Sequence, residues 1–377
     1  METKDGGRMH VVMLPWLAFG HVLPFTEFAK RVARQGHRVT LLSTPRNTRR
    51  LIDIPPGLAG LIRVVDVPLP RVDRLPEHAE ATIDLPSDDL RPYLRRAYDA
   101  AFQRELSRLL EEEARPDWVL VDYASYWAPA AAARHGVPCA FLSLFGAAAL
   151  SFFGSPETLL GLGRHAKTEP AHLTAVPEYV PFPTTVAFRG YEAREMFKPR
   201  MVPLQRIALG LDAAGLPFIW AFRAPTDSTS GGLPEGFEER LAGRGVVCRG
   251  WVPQVRFLAH ASVGGFLTHA GWNSIAEGLA QGVRLVLLPL VFEQGLNARN
   301  LVDKKVGVEV ARDEQDGSFA ADDIAAALRR VMVEDEGEQF GAKVKELAKV
   351  FGDDEVNDQC VREFLSHLSE HSKKNQG

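Results

Sequence analysis

The 377 residues are 46% apolar and 24% charged, with a formal net charge of -4 and a pI near 6.3. This is the composition of an ordinary soluble globular protein, long enough for two hydrophobic cores, and it supplies no broad basic face for nucleic acid. The three cysteines, Cys139, Cys248 and Cys360, are odd in number and far apart, which argues against a disulfide framework or a metal site and for a reducing compartment, the cytoplasm.

The opening METKDGGRMH is charged and shows no cleavage-site pattern, and no apolar run reaches the about 18 residues of a membrane span. From Met9 the chain alternates strand-like apolar runs with amphipathic helices: HVVMLPWL, then AFGHVLP and FTEFAKRVARQG, then HRVTLLST. Such alternation predicts a parallel sheet with helices on both faces. Pro68 to Asp89, rich in proline and acidic residues, reads as a long surface connection, and RPYLRRAYDAAFQRELSRLLEEE as a helix. The strand DWVLVD, a helix over YWAPAAAARHG and the strand VPCAFLSLF follow. From Ser155 to Pro203 periodicity is lost and prolines recur irregularly, which predicts loops and short helices.

A second α/β unit opens with the helix LQRIALGLDAAG, the strand PFIWAFR and the polar loop TDSTSGG. Then come the strand VVCRG, the helix VRFLAHA, the strand GGFLTH, the helix SIAEGLAQG and the buried strand VRLVLLPL. VGVEV is a further strand, ADDIAAALRRVM a helix, and the chain closes on a long helical stretch from Glu338. This unit begins with a helix. In a doubly wound sheet the first strand is central and its following turn touches ligand phosphates. No candidate for that strand stands between Phe197 and Leu204.

The 44 residues Trp251 to Gln294 are the most informative in the chain. In HAGWNS, small and polar residues join a strand to a helix, so backbone N–H groups at a positive helix end suit a diphosphate, with His269, Asn273 and Ser274 as added donors. The competing reading is a capping box formed by Ser274 and Glu277. Glu277, one turn into the helix, has two oxygens for two ribose hydroxyls. Trp251 offers a flat face for a uracil ring and Gln254 an amide for its polar edge; burial is the bland alternative for the indole. Glu293 and Gln294 end a parallel strand, where a carboxylate and an amide suit pairs of sugar hydroxyls.

At this spacing the segment resembles the secondary product glycosyltransferase signature of the plant family 1 UDP-sugar glycosyltransferases. It matches in length, in its WVPQ opening, in its HAGWNS core, in Glu277 and in its closing acidic-Gln pair. The resemblance implies that Trp251 stacks on uracil, that Gln254 and Glu277 hold the uridine, and that His269, Asn273 and Ser274 bind the diphosphate. It also implies that Trp272, Glu293 and Gln294 face the sugar. The family most often has Asp where this chain has Glu293; the closing Gln resembles glucose-using members, and the donor sugar stays open between glucose, rhamnose and others. PWLAFGH, STPRN and FEQGLNARNL resemble the branch that extends sugars already attached to flavonoids, terpenoids or steroids.

For chemistry, His21 follows the first strand and has the side chain whose ordinary pKa suits taking a proton from a hydroxyl at neutral pH. Asp122 closes DWVLVD; if the first and fourth strands are neighbours, its carboxylate orients the imidazole. Helix capping and turn formation are the alternatives, and Asp117 competes but precedes its strand. Resemblance favours the pair, through the GHxxP context of Gly20 to Pro24 and the VDYASYW setting of Asp122. It implies an inverting displacement at the anomeric carbon with no metal or other cofactor, the UDP-sugar being a co-substrate. Trp16, Phe19, Tyr123, Phe145 and Phe188 are candidates for an apolar acceptor pocket, against core packing as the simpler reading.

The fold implied is α/β, two Rossmann-like doubly wound domains facing across a cleft (GT-B). Residues 1–203 would bind the acceptor and 204–377 the UDP-sugar, with the C-terminal helix packing back on the first domain. Members of the family are longer, and the shortfall falls at Pro203/Leu204, where the first strand of the donor domain and its phosphate loop would stand. Two readings follow: an active transferase, or a truncated relative that binds UDP weakly or acts as a non-catalytic partner. The expected partners are a UDP-sugar and a small hydrophobic or glycosylated acceptor, with no nucleic acid, no membrane span and a monomeric state.

Overall fold

A computed structural model describes residues 8–112, 115–155, 158, 164–195, 203–222, 232–241 and 243–374. The chain divides into two compact units, residues 1–144 with 354–377, and residues 145–353. This division differs in position from the boundary at 203/204 expected from sequence. The physical reason is a cluster in which Phe152, Leu173, Val186 and Phe188 pack with Leu296. Two ion pairs add to it, Arg299 to Glu192 at 2.6 Å and Arg189 to Glu309 at 2.8 Å.

The first unit holds one parallel five-stranded sheet in the order β3-β2-β1-β4-β5, comprising β1 (His10–Leu14), β2 (Arg38–Ser43), β3 (Ile62–Asp66), β4 (Trp118–Val121) and β5 (Cys139–Phe141). Because side chains alternate along a strand, β1 feeds two cores. Val12 and Leu14 join Leu94, Tyr98 and Phe102 of helix Arg91–Glu111, while Val11 and Met13 join Phe25, Ala29 and Val32 of helix Phe19–Arg34. The C-terminal helix Asp354–Lys374 adds Val361, Leu365 and Leu368 to the second core. Trp118 Nε1 donates to Leu368 O at 3.2 Å, and Arg31 pairs with Asp354 at 2.7 Å and Asp358 at 2.6 Å.

Two sequence expectations change here. The connection from Pro68 to Asp89 is not merely a surface loop, since Ala79, Ala81 and Leu85 are buried in the first core. The C-terminal helical stretch is two helices, Glu336–Phe351 and Asp354–Lys374, and the two belong to different units.

The second unit contains two separate parallel sheets: β6 (Phe218–Phe222) with β7 (Gly245–Arg249), and β10 (Gly307–Glu309) with β9 (Arg284–Leu287) and β8 (Gly265–Thr268). Helices Leu204–Ala214 and Ala321–Met332 pack together, burying Ile207, Leu211 and Ile324 against Val286 and Val308. Phe218 and Trp220 of β6 lie against that same cluster, so one core serves both sheets. The polar loop TDSTSGG, apart from its last glycine, and the residues from Met196 to Val202 lie outside the described residues. Among the described residues no helix is long and apolar enough to cross a membrane.

Candidate functional site

In the first unit the site is made by strand pairing. β1 and β4 are hydrogen-bonded neighbours with Leu14 opposite Val121, so the turns that follow them emerge side by side at the C-terminal edge of the sheet. His21 lies in the first turn of helix Phe19–Arg34, and Asp122 directly follows β4. Their side chains meet, His21 Nδ1 to Asp122 Oδ2 at 2.6 Å, with Asp122 3% exposed and buried. The carboxylate is fixed from three sides, since Trp16 N donates to Oδ2 at 2.9 Å and Tyr123 N to Oδ1 at 2.7 Å. An imidazole bonded through Nδ1 to a buried carboxylate presents Nε2 for proton exchange. Asp117 serves elsewhere: its carboxylate accepts from His10 N at 2.7 Å, at the start of β1.

The aromatic candidates for an acceptor pocket separate. Tyr123 is 47% exposed and its ring centroid lies 5.6 Å from that of His21. Trp16 is buried in the first core, and Phe19 lies under the Arg50 guanidinium at 4.7 Å. Phe145 and Phe188 belong to the second unit, where they pack with Phe152 and Phe153, so core packing accounts for them. The structure therefore groups only Tyr123, Trp16 and His21.

In the second unit the predicted residues gather around helix Trp272–Ala280. Its N-cap is Gly271, with no side-chain cap. Ser274 is thus the third helical residue, and the capping box with Glu277 does not form. Glu277 instead accepts from Gln254 Nε2 at 2.7 Å, and Ser274 Oγ lies 3.4 Å from the same nitrogen. Burial pushes the Glu277 carboxyl up from its ordinary value, and the Gln254 bond opposes that shift. Trp251, in the turn after β7, is 61% exposed, so the indole is not core.

The turn before the helix is held tightly. Ala270 adopts a left-handed φ of 63°, and buried Asn297 donates from Nδ2 to its carbonyl at 3.0 Å. A Cβ on Gly271 would stand 2.5 Å from His269 Nε2, so the glycine lets the imidazole lie over the turn. His269 is exposed, and the protein atoms around the ring lower its pKa by desolvation. Trp272 packs against the backbone of Gly146 and, edge to face, against Phe351 at 6.5 Å. Asn273 is the second residue of the helix. Asn297 is a positioning residue that motif reading missed; its signal was an Asn among the apolar residues of GLNARNL.

Glu293 is the N-cap of helix Gln294–Asp303, and both Glu293 and Gln294 are buried. Gln294 Oε1 accepts from Leu290 N at 2.8 Å and Val291 N at 2.9 Å, which commits its carbonyl oxygen to the loop. Among the described residues no group of three or more His, Cys, Asp or Glu side chains is arranged to hold a metal ion.

Residues 198–358 match the family model for UDP-glucoronosyl and UDP-glucosyl transferases. UDP-glycosyltransferase 91A1 of Arabidopsis thaliana is 36% identical, covering 97% of this chain and 97% of its own. UDP-glycosyltransferase 91D2 of Stevia rebaudiana is 34% identical, covering 98% and 97%, and the soyasaponin III rhamnosyltransferase of Glycine max is 31% identical, covering 96% of each. The alignment with 91D2 runs over 464 positions, whereas 98% of 377 residues is about 369, so about 95 positions are filled by the relative alone. Among solved structures, TcCGT1 in complex with UDP has a TM-score of 0.73 at 20% identity, covering 98% of this chain and all of its own. Arabidopsis thaliana UGT89C1 complexed with quercetin has a TM-score of 0.70 at 21% identity, covering 96% and 99%. The chain belongs to the UDP-glucoronosyl and UDP-glucosyl transferase family, as a plant-type UDP-dependent glycosyltransferase of the GT-B fold.

Proposed function

We propose that this enzyme transfers a sugar, glucose in the first instance, from a UDP-sugar to a hydroxyl of a small glycoside of the flavonoid, terpenoid or steroid class, with inversion and without a metal. The observation that carries the chemistry is the 2.6 Å bond between His21 and buried Asp122 at adjoining strand ends. His21 Nε2 takes the acceptor proton as the hydroxyl oxygen bonds to the anomeric carbon. The bond from that carbon to the diphosphate oxygen breaks, and UDP leaves with the electron pair. Asp122 stabilises the imidazolium formed in that step.

The first unit serves the acceptor, with Tyr123 beside the base, and the second serves the donor. There Trp251 stacks on uracil, Gln254 and Glu277 hold the uridine, and Trp272, Glu293 and Gln294 address the sugar. The N-terminus of helix Trp272–Ala280, with His269, Asn273 and Ser274, stabilises the leaving diphosphate, a role for which its first-turn N–H groups and dipole suffice without an ion. The enzyme acts in the cytoplasm as a monomer.

The test is release of UDP from UDP-glucose in the presence of a flavonoid glucoside, followed with the purified wild type and His21→Ala. The wild type is expected to release UDP and give a product of inverted anomeric configuration by NMR, and the variant to release none. A wild type silent with several donors and acceptors in magnesium-free buffer overturns the proposal.

A further inference from the structure

We infer that Arg95, Tyr98 and Asp99 are positioning residues for the transfer step: from one face of helix Arg91–Glu111 they fix the turn that carries Asp122 and Tyr123. The inference rests on the reading of His21 as the base. Strand pairing ends with Leu14 opposite Val121, so register brings the two strand ends together and leaves the turns beyond them to be held by other means. After β4 the chain makes a single 3-10 turn, Tyr123–Ser125, before the short helix Ala128–Ala133. A turn of three residues has too few hydrogen bonds of its own to stay fixed. Asp122, the partner of His21, is the N-cap of that turn.

The helix supplies what the turn lacks. Residues 95, 98 and 99 stand three and four apart and so share one helix face. Arg95 Nη2 donates to Ala124 O, Tyr98 OH shares a 2.5 Å hydrogen bond with Ser125 Oγ, and Trp127 Nε1 donates to Asp99 Oδ1 at 2.8 Å. Ser125 N in turn donates to Asp122 O at 3.1 Å. Arg95 Nε also donates to both Asp99 oxygens, at 3.1 and 3.3 Å, which ties two of the three contacts together. Tyr98 and Ser125 are fully buried, so neither hydroxyl can turn to water instead. Burial pushes the Tyr98 phenol up from its ordinary value, which keeps it a neutral hydroxyl.

The same face reaches the turn after β1. The Tyr98 ring packs edge to face on Trp16 at 5.3 Å, and the Arg95 guanidinium stands over two rings, 5.1 Å from Tyr126 and 5.8 Å from Trp16. Trp16 N is the donor that fixes Asp122 Oδ2, the oxygen bonded to His21. Arg95 and Tyr98 therefore touch both turns that must stay aligned for imidazole and carboxylate to meet. Their hydrogen bonds end on the turn beside Asp122, so they act through it. A displacement of about 1 Å in a reacting group can cost about 10²-fold in rate, so a little slack in this turn is large in kcat.

The experiment uses the full chain with Tyr98→Phe, which removes one oxygen, Arg95→Met, which keeps an apolar stem without the guanidinium, and Arg95→Lys as the conservative variant. Initial rates give kcat and both KM values, and NMR follows the proton on His21 Nδ1 that bonds Asp122. Tyr98→Phe is expected to lower kcat about tenfold and Arg95→Met up to about a hundredfold, with the donor KM held within about twofold. The proton resonance is expected to move or broaden in both. Arg95→Lys, which can still donate to Ala124 O, is expected to recover part of the kcat. Leu106→Ala, a fully buried residue about two turns further along the same helix, controls for stability and is expected to lower Tm with kcat and resonance unchanged. Wild-type kcat and resonance in both Tyr98→Phe and Arg95→Met overturn the inference, as does a kcat loss in Leu106→Ala equal to theirs. If Arg95→Met fails to fold, Tyr98→Phe decides. A wild type that releases no UDP with any donor defeats the proposed function, and the inference then stands or falls on the resonance alone.

Discussion

The two units differ in how their parallel strands are joined: one five-stranded sheet in the first and, among the described residues, a three-stranded and a two-stranded sheet in the second. In the first, Val11 to Leu14 of β1 are fully buried at the centre of the sheet, and pairing of β1 with β4 brings His21 to Asp122. In the second no described strand joins β6 to β8, and the candidate residues are held by hydrogen bonds of their own. The difference lies in what positions each group. His21 and Asp122 are 101 residues apart and depend on strand register. Asn297 with Ala270 and Gln294 with Leu290 are each fixed by neighbours that follow β8 and β9, whereas Gln254, after β7, bonds to Glu277 of the helix that follows β8 and so links the two sheets.

The largest effect expected from that difference is in the first unit. Asp122→Asn keeps the size of the side chain and an acceptor oxygen for Trp16 N or Tyr123 N, but removes the charge that stabilises the imidazolium. A loss of about 10³–10⁴-fold in kcat is expected, the upper part of the range for positioned acid–base groups. UDP affinity, which the proposed function assigns to the other unit, is expected to hold. A parallel loss of UDP affinity in calorimetry would break the separation of roles between the units.

Paired truncations sharpen the structural side. Leu120 in β4 is fully buried between paired strands, whereas Leu267 in β8 is only partly buried against its cluster. Leu120→Ala is expected to cost about 3–4 kcal/mol in urea unfolding and Leu267→Ala about 1–2, since part of the Leu267 side chain is already in solvent. Equal losses would mean that the second unit is as well closed as the first.

Legibility in the sequence follows the same division. The parallel architecture was plain from alternating apolar runs, and the His21–Asp122 pair from their places at strand ends, because a strand end fixes an edge of the sheet. The candidate donor residues were named from one contiguous segment. What escaped was long-range packing. Nothing in the prolines and loose periodicity after Ser155 announced that Phe152 and Phe188 would join Leu296, or that Ala81 and Leu85 would enter a core. The S-x-x-E pattern of Ser274 and Glu277 misled because a helix start is set by backbone, and the chain turns into the helix at Gly271.

The smallest effect tests the local grip itself. Glu277 has an ordinary carboxyl pKa of 4.5, raised in the fold because burial outweighs the opposing Gln254 bond. The folded state thus holds the proton more firmly than the unfolded chain. Its contribution to stability is present below 4.5 and is lost as pH rises through the raised folded value. Once ionised, the ligand-free Glu277 is a burden on the fold. Glu277→Gln removes that burden, so without ligand its Tm is expected to exceed the wild type's at pH 7 and to converge with it as the pH falls to 4. With UDP the order reverses, because a carboxylate accepting from ribose hydroxyls is the stronger acceptor, and the variant's Kd is expected to rise about tenfold. A variant that is more stable and binds UDP as tightly as the wild type would remove Glu277 from the uridine contacts, and leave it as a buried partner of Gln254.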